Sequence, residues 1–350
     1  MKTPIIMRCT INQLWSPWRE DTTKQMDCLP FHEDYKELLQ NTEVLTYLIR
    51  SLTVHEMTCG SLGHPGGSLS EAELLAVLFN YVISFDANNK DWKKRDVLYL
   101  SKCHACPALY TTLALFGYFD IEELKYYGQW GSMLESHPDC TKTPGIEISG
   151  GSLGQIPGVA VGRALGISQL GPDHAGRLVY TIIGDGECQE GSVWEAFMAA
   201  AHYKLDNLVF IIDYNKVQAK GFVNHDMGIA PLDKKLEAFG HAVYTVENGH
   251  DVSELIGLFN RLRTMRTGKP VSIILNTVKG KKIKEAAFNP NWHTSAPKNA
   301  EVATAWLEEL WRQDGKRLGI PHGFVETLSE SIEKVPALHD NPDAFLDAQA

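Results

Sequence analysis

The sequence predicts a doubly wound parallel α/β sheet with helices on both faces. The main observation is a βαβ unit in the middle of the chain, in which apolar runs at 176–186 and 206–215 enclose an alanine-rich segment of helical period at 191–205. Strands joined by a crossover helix are parallel and buried on both faces, which accounts for such continuous apolar runs. Segment 241–280 repeats the pattern around a helical stretch at 252–265, so a second unit extends the sheet.

The elements before these units follow in order along the chain. Apolar residues at helical intervals predict a long helix over 35–56. We expect a glycine-rich loop at 60–70, with Ser70 as the N-cap of the helix that follows. A short apolar run at 95–101 indicates a buried strand, with a helix after it.

The chain is expected to divide into three parts. Residues 1–35 show no regular period and contain three prolines, so we expect an irregular N-terminal arm. The α/β domain is expected to span 36–300. Residues 301–350 are expected to form a C-terminal extension of helices and polar loops.

Composition excludes several classes of function. The 350 residues are 44% hydrophobic and 22% charged, which is typical of a globular protein with a large core. A net charge of −10 gives no basic surface for nucleic acid. No apolar run approaches the roughly 18–20 residues that a membrane span needs. Seven scattered cysteines and no secretion signal indicate reduced thiols, so we expect a cytoplasmic protein without nucleic-acid or membrane partners.

Polar residues end both strands of the central unit. Asp185 lies between two glycines, Gly184 and Gly186, and Asn215 follows the next strand. Ligands of open α/β sheets bind at the carboxyl ends of the strands, and a carboxylate with an amide oxygen suits Mg²⁺. The glycines would let a diphosphate approach the backbone. Gly-Asp-Gly alone is more often a tight turn, but the added asparagine favours a site for a cation and a diphosphate.

Several motifs resemble those of transketolases, in the same order along the chain. The stretch "GDGECQEGSVWEAFMAAAHYKLDNLVFIIDYNKVQ" resembles the family's thiamine diphosphate motif, which begins with GDG and ends in an asparagine. Other matching stretches are "GHPGGSLSEAELLAVLF", "RDVLYLSKCHACPALYTTLALFGYF", "HPDCTKTPGIEISGGSLGQ" and "NTVKGKKI…NWHTSAP". The similarity runs from about residue 40 to about residue 300, so the chain is identified as a member of this family with the thiamine diphosphate-binding fold.

The resemblance implies thiamine diphosphate as cofactor and Mg²⁺ as metal, with Ca²⁺ or Mn²⁺ as substitutes. Asp185 and Asn215 would bind the metal through their side chains, and Val217 through its backbone carbonyl. Gly184 and Gly186 would lie against the diphosphate. The positions at the aminopyrimidine end would be Gly151 and Leu153.

Four histidines and one glutamate match functional positions of the family. His104 and His293 match histidines near the diphosphate and the reacting carbon. His64 and His137 match histidines that contact substrate hydroxyls and move protons, a role that imidazole suits near neutral pH. Glu190 matches a glutamate placed where two subunits communicate through their cofactors.

Some residues depart from the family pattern. Cys103 stands where the family usually has a small residue, commonly glycine, and "GQIPGVAVG" replaces a more glycine-rich continuation. We expect Pro157 to begin the following helix and Cys106 to pack at the start of its own. These residues line or support the predicted pocket. Their differences from the family pattern therefore bear on the identity of the substrate more than on that of the cofactor.

The resemblance also implies a partner. Transketolases need a second domain that binds the aminopyrimidine ring, and no second βαβ series follows here. We expect the chain to be the N-terminal subunit of a split transketolase, with a separate chain carrying the pyrimidine-binding and C-terminal domains in an α₂β₂ assembly. The reaction would move a two-carbon ketol unit from a ketose, a sugar or sugar phosphate, to an aldehyde.

Three alternatives stay open. The chain could belong to another two-chain thiamine enzyme, such as a specialised two-carbon transferase or the α subunit of a 2-oxo acid dehydrogenase. It could be a non-catalytic subunit, although the retained motif residues disfavour this. It could also be a thiol redox or zinc protein built on the C-x-x-C of 103–106, but no second cysteine pair completes a zinc site.

Overall fold

The computed structural model describes residues 35–335, apart from 90, 91, 172, 173, 175, 265 and 266. The helices are α1 (Tyr35–Gly60), α2 (Pro65–Ser70), α3 (Ala72–Val77), α4 (Cys106–Leu115), α5 (Ile156–Ser168), α6 (Gly191–His202), α7 (Val223–Asp226), α8 (Leu232–Phe239), α9 (Val252–Thr264), α10 (Ala300–Leu310) and α11 (Gly323–Lys334). The strands are β1 (Val97–Leu100), β2 (Val179–Gly184), β3 (Leu208–Tyr214), β4 (Ala242–Val246) and β5 (Val271–Asn276). Except for its last residue, the expected N-terminal arm lies outside the described residues.

The five strands form one parallel sheet in the order β1-β2-β3-β5-β4. In the central pair, Val179 lies opposite Leu208 and Gly184 opposite Asp213. Both βαβ units are therefore confirmed as parallel, and the residues that follow β2 and β3 emerge at the same edge of the sheet.

Helices cover both faces of the sheet, as predicted. Ile182 and Ile211 point into a hydrophobic cluster shared with α1, α3, α4, α9, α10 and α11. Their neighbours Ile183 and Ile212 point into a second cluster shared with α5, α6 and α8. Alternate residues of buried strands face opposite sides, so each strand serves both clusters.

Helix α1 is four residues longer than predicted and is buried without interruption from residue 45 to residue 60. The last two helices pack against it. The rings of Tyr47 and Phe324 have centroids 6.0 Å apart, and His55 Nε2 lies 3.0 Å from Ser331 Oγ. The C-terminal helices therefore share the hydrophobic cluster of α1.

The glycine-rich segment differs from its prediction. It is a loop only up to His64, because Pro65 occupies the first turn of α2, where a missing N–H costs nothing. Ser70 ends α2 and is not an N-cap, since Glu71 takes that position before α3. The Ser70 hydroxyl instead donates to Asp213 Oδ2 at 2.6 Å. Pro157 is confirmed in the first turn of α5.

In the part of the chain that the structure describes, no helix is both long enough and apolar enough to cross a membrane.

Candidate functional site

Four histidines from distant parts of the sequence meet beyond the carboxyl edge of the sheet. The ring centroid of His64, just before α2, lies 5.1 Å from that of His104, 6.0 Å from that of His137 and 5.5 Å from that of His293. The His104 and His293 centroids are 5.3 Å apart. The structure therefore brings together all four predicted histidines.

These imidazoles are held in the neutral form. Burial lowers the pKa of His64 to about 4, with further lowering by His137 and Lys279. Burial likewise lowers the pKa of His293 to about 4 and that of His104 well below its usual value. A neutral imidazole offers one donor and one acceptor. The buried Nδ1 of His64 has no hydrogen-bond partner within the described structure, so it is available to a ligand.

The predicted metal ligands lie on the two loops that follow β2 and β3, Asp185 on the first and Asn215 and Val217 on the second. Asp185 accepts hydrogen bonds from the backbone N–H groups of Gly186, at 2.8 Å, and Lys216. Asn215 Oδ1 accepts from Val217 N at 3.2 Å. Burial, followed by the negative charge of Asp213, raises the pKa of Asp185 to about 7. A carboxylate so placed lacks a compensating charge, and a divalent cation would supply it.

The other residues predicted to contact the cofactor lie on loops at the same edge of the sheet. A methyl group added at Gly186 would sit 3.1 Å from Gln218 Cβ, so the two loops touch there. A methyl group at Gly151 would lie 3.4 Å from His137 Cδ2, an ordinary contact. Leu153 is half-buried in the same loop as Gly151. Glu190 is exposed just before α6 and makes no capping hydrogen bond.

The structure adds a basic residue, Lys279, that was not among the residues predicted for the site. Its side chain is buried, and its ammonium donates to the backbone oxygen of Val217 and to His293 Nδ1, both at 2.8 Å. An ammonium only donates, so Nδ1 of His293 accepts and Nε2 carries the proton. Burial lowers the pKa of Lys279 to about 8. Lys279 follows β5 closely, at the carboxyl edge of the sheet where ligands bind. This position in the sequence could have identified it as a candidate site residue.

A buried carboxylate, Asp213, organises the strand ends and was also missed. It accepts from Lys102 Nζ at 2.6 Å, from Ser70 Oγ at 2.6 Å and from Asn215 Nδ2 at 2.9 Å. The hydroxyl of Thr277 donates to its other oxygen. Burial opposes ionisation of Asp213, but Lys102 and these donors lower its pKa below the usual value. The Asp213 side chain, in β3, therefore links α2 to the residues that directly follow β1, β3 and β5.

A second buried carboxylate, Glu187, lies in the first turn of a short 3₁₀ helix, Gly186–Gln189. It accepts from the backbone N–H groups of Gly154, at 2.8 Å, and Gly184, at 3.1 Å, and from the Ser101 hydroxyl. It thereby fixes the loop carrying Gly151 and Leu153 against the end of β2.

The two cysteines of the C-x-x-C motif face the protein interior. Cys103 Sγ donates to Leu100 O at 3.2 Å and fills the space beside Gly150. Cys106 begins α4 and donates to Ser136 O at 3.3 Å. Burial raises the pKa of the Cys103 thiol to about 12 and that of Cys106 well above its usual value. Reactive thiols have lowered pKa values, so this environment disfavours redox chemistry.

Within the described residues, no cluster of three or more histidine, cysteine, aspartate or glutamate side chains forms a metal site. The set around Asp185 is of another kind, because it combines one carboxylate with amide and backbone oxygens.

Comparison with known proteins adds a family and several relatives. The family model described as "Transketolase, thiamine diphosphate binding domain" matches residues 41–346. A 6-deoxy-6-sulfo-D-fructose transketolase subunit of Clostridium sp. (strain MSTE9) is 44% identical over 265 residues, covering 76% of this chain and 91% of the relative. One subunit of an apulose-4-phosphate transketolase from Actinobacillus succinogenes is 38% identical, covering 80% of this chain and 98% of the relative.

Solved structures share the fold. Transketolase from Leishmania mexicana superposes with a TM-score of 0.73 at 27% identity, over 88% of this chain. Transketolase from Campylobacter jejuni gives 0.71 at 30% identity, over 87% of this chain. This chain spans about half of those two proteins, 47% of each.

Proposed function

Because the chain belongs to the transketolase family, we propose that it is the diphosphate-binding subunit of a two-chain enzyme that moves a two-carbon ketol unit from a ketose to an aldehyde acceptor. The family's domain binds thiamine diphosphate, which supplies the electron sink for such chemistry when bound.

The observation that carries the proposal is the position of Lys279. Its ammonium contacts His293 on one side and the carbonyl of Val217 on the other, at 2.8 Å each. It therefore joins the histidine cluster to the loops that carry the predicted metal ligands. A diphosphate next to this ammonium would have its charge compensated while its organic end faced the histidines.

The metal is assigned to the loops that follow β2 and β3. Asp185 and Asn215 would hold Mg²⁺ through their side chains, and Val217 would do so through its carbonyl oxygen. The raised pKa of Asp185, about 7 in the absence of a cation, supports this fit. Mg²⁺ keeps coordination positions for phosphate oxygens, and the glycines at 184 and 186 place no side chain between the backbone and a bound diphosphate.

The histidines are assigned to substrate binding and proton transfer. His64 and His137 would contact substrate hydroxyls, and His104 and His293 would lie nearer the reacting carbon. Neutral imidazoles can accept a proton at one nitrogen and donate from the other. The unpartnered Nδ1 of His64 is the atom that we assign to a substrate hydroxyl.

The partner is assigned to a separate chain that carries the pyrimidine-binding domain, in an α₂β₂ assembly in which Glu190 lies near a subunit contact. Two relatives that this chain covers almost fully are named as subunits, which supports the assignment. The test is co-expression with such a chain, followed by a ketol-transfer assay with thiamine diphosphate and Mg²⁺. We expect transfer only when both chains are present. Strong turnover by this chain alone would contradict the two-chain proposal.

Two outcomes would favour the alternatives. A complex that binds neither thiamine diphosphate nor Mg²⁺ would indicate a non-catalytic subunit. Release of CO₂ from pyruvate, with transfer to a lipoyl group, would indicate a 2-oxo acid dehydrogenase.

A specialised two-carbon transferase is the second candidate, favoured by the names of those two relatives. Each name refers to a sugar that carries an anionic group, a sulfonate in one and a phosphate in the other. Comparing kcat/KM for 6-deoxy-6-sulfofructose, apulose 4-phosphate and common ketose phosphates would decide between a specialised and a general enzyme.

A further inference from the structure

A buried histidine outside the cluster, His250, contacts the segment that carries Lys279. It follows β4 in the stretch "ENGHD", and the proposed function gives it no role. Its side chain is 5% exposed. Nε2 accepts a hydrogen bond from the backbone N–H of Val278 at 2.8 Å, and Nδ1 lies 2.9 Å from Glu73 Oε2.

These two contacts determine the tautomer of His250. A backbone N–H can only donate, so Nε2 must be the acceptor nitrogen and Nδ1 must carry the proton. Nδ1 therefore donates to the Glu73 carboxylate. The buried Arg50 guanidinium also contacts Glu73 and donates to Leu69 O at 3.2 Å, which ties this carboxylate to the end of α2.

Several hydrogen bonds hold the segment around Lys279. The Thr277 hydroxyl donates to Asp213, the Val278 N–H donates to His250, and the Gly280 N–H donates to Gly66 O at 2.9 Å. The carbonyl oxygen of Lys279 itself accepts from the Phe288 N–H at 2.9 Å. The Val278 contact is the backbone hydrogen bond immediately before Lys279. Without the contact to His250, the Val278 N–H would lack an acceptor, and the backbone that positions the Lys279 ammonium would be less constrained.

We propose that His250 is a positioning residue, which fixes the Val278 N–H and so holds the Lys279 ammonium between Val217 and His293. The link from this position to cofactor binding rests on the proposed function. The contacts that run from Arg50 through Glu73 to His250 would thereby determine the position of the diphosphate, although none of these three residues would touch it.

Two substitutions of His250 separate the contacts. The glutamine amide reaches about as far as Nε2, so His250→Gln keeps an acceptor for Val278 and loses the donor to Glu73. The asparagine amide reaches about as far as Nδ1, so His250→Asn keeps the donor to Glu73 and loses the acceptor. Each variant loses one buried hydrogen bond. If His250 only stabilised the fold, the two variants would therefore show similar amide exchange at Val278 and similar acetylation of Lys279.

The first measurements use the full chain and need no cofactor. Hydrogen exchange by mass spectrometry reports the peptide containing Val278, and acetylation by acetic anhydride reports Lys279 relative to the exposed Lys298. We expect His250→Asn to speed amide exchange at Val278 at least tenfold and to increase acetylation of Lys279, while His250→Gln stays within twofold of wild type. Equal exchange and acetylation in both variants would overturn the proposal.

The second measurement is thiamine diphosphate affinity, by calorimetry with Mg²⁺ on the complex with the partner chain. We expect at least fivefold weaker binding for His250→Asn and less than twofold for His250→Gln, at similar Tm. Weakening that follows Tm in both variants would overturn a positioning role. If wild type itself binds no thiamine diphosphate, the proposed function fails, whereas the exchange and acetylation comparison still decides what His250 holds.

Discussion

The ammonium of Lys102 and the carboxylate of Asp213 lie 2.6 Å apart, and both side chains are 1% exposed. Glu71 Oε2 lies 3.0 Å from the same ammonium, but burial raises the pKa of Glu71 to about 8. Asp213 is therefore the ionised partner of Lys102 at neutral pH. This pair connects the loop of His104 to β3, the strand that Asn215 follows.

Breaking this pair is expected to destabilise the fold strongly. Lys102→Met leaves a buried carboxylate without its cation, which typically costs about 3–5 kcal/mol. Urea unfolding followed by circular dichroism measures the free energy of unfolding. Lys142→Met, which removes the exposed pair with Glu135, is the control and should leave stability unchanged. A Lys102→Met chain as stable as wild type would contradict this account.

Removal of the metal is expected to abolish cofactor binding. With a chelator present, thiamine diphosphate affinity should fall below detection, and added Mg²⁺ should restore it. Asn215→Leu removes the amide oxygen and should mimic the chelator at every Mg²⁺ concentration. The measurement is calorimetry on the two-chain complex. Undiminished binding in the presence of chelator would remove the metal from the proposal.

A buried histidine far from the site, His55, is expected to make stability depend on pH. Burial lowers its pKa to about 4, so between about pH 4 and 6.5 the unfolded chain binds the proton that the folded chain excludes. Stability therefore rises with pH across this window and falls on acidification, and the contribution of His55 at pH 5 is a loss of about 2 kcal/mol. Urea unfolding at pH 7.5 and pH 5 should show that His55→Gln reduces the difference by about this amount. An unchanged difference would show that His55 titrates normally.

Two glycines in helices are expected to respond in opposite ways to alanine. A methyl group at Gly66 would lie 2.6 Å from Lys279 Cε, whereas one at Gly162 meets nothing within 4 Å. Gly66→Ala should displace Lys279 and weaken thiamine diphosphate binding several-fold. Gly162→Ala should leave binding unchanged and stabilise the chain by up to about 1 kcal/mol through helix propensity. Calorimetry and urea unfolding measure the two effects, and equal affinities would argue against contact between Gly66 and Lys279.

The cysteines are expected to be dispensable for chemistry. Cys106→Ala removes a buried thiol that donates to the backbone oxygens of Glu135 and Ser136, so ketol transfer under reducing conditions should persist. Cys103→Gly should keep activity, and any change in donor preference would have to act through the adjacent Gly150. Loss of transfer in Cys106→Ala at unchanged Tm would restore the thiol hypothesis.

Sequence patterns predicted the sheet well because buried parallel strands are apolar along their whole length. The apolar runs around Ile183 and Ile212 are of this kind, and the polar residues that end them indicated the edge that carries the candidate site. The glycine-rich segment was predicted wrongly because glycine favours loops locally, while packing between α1 and the sheet imposes a helical turn after Pro65.

The buried charges were harder to predict. Lys102, Asp213 and Lys279 look like solvent-exposed residues in a linear sequence, since isolated charges avoid the interior. Their burial depends on three strands delivering opposite charges to one place, which local patterns do not encode. The roles assigned to the site residues and the domain boundaries stay predictions.

The contact between His55 and Ser331, 3.0 Å apart across 276 residues, has a consequence for synthesis. Helix α1 leaves the ribosome well before α11, which covers part of it. Contacts so distant in sequence close slowly, because the intervening chain must be ordered first. Part of the apolar surface of α1 therefore stays open until α11 emerges, which makes the nascent chain a candidate for chaperone binding during that interval.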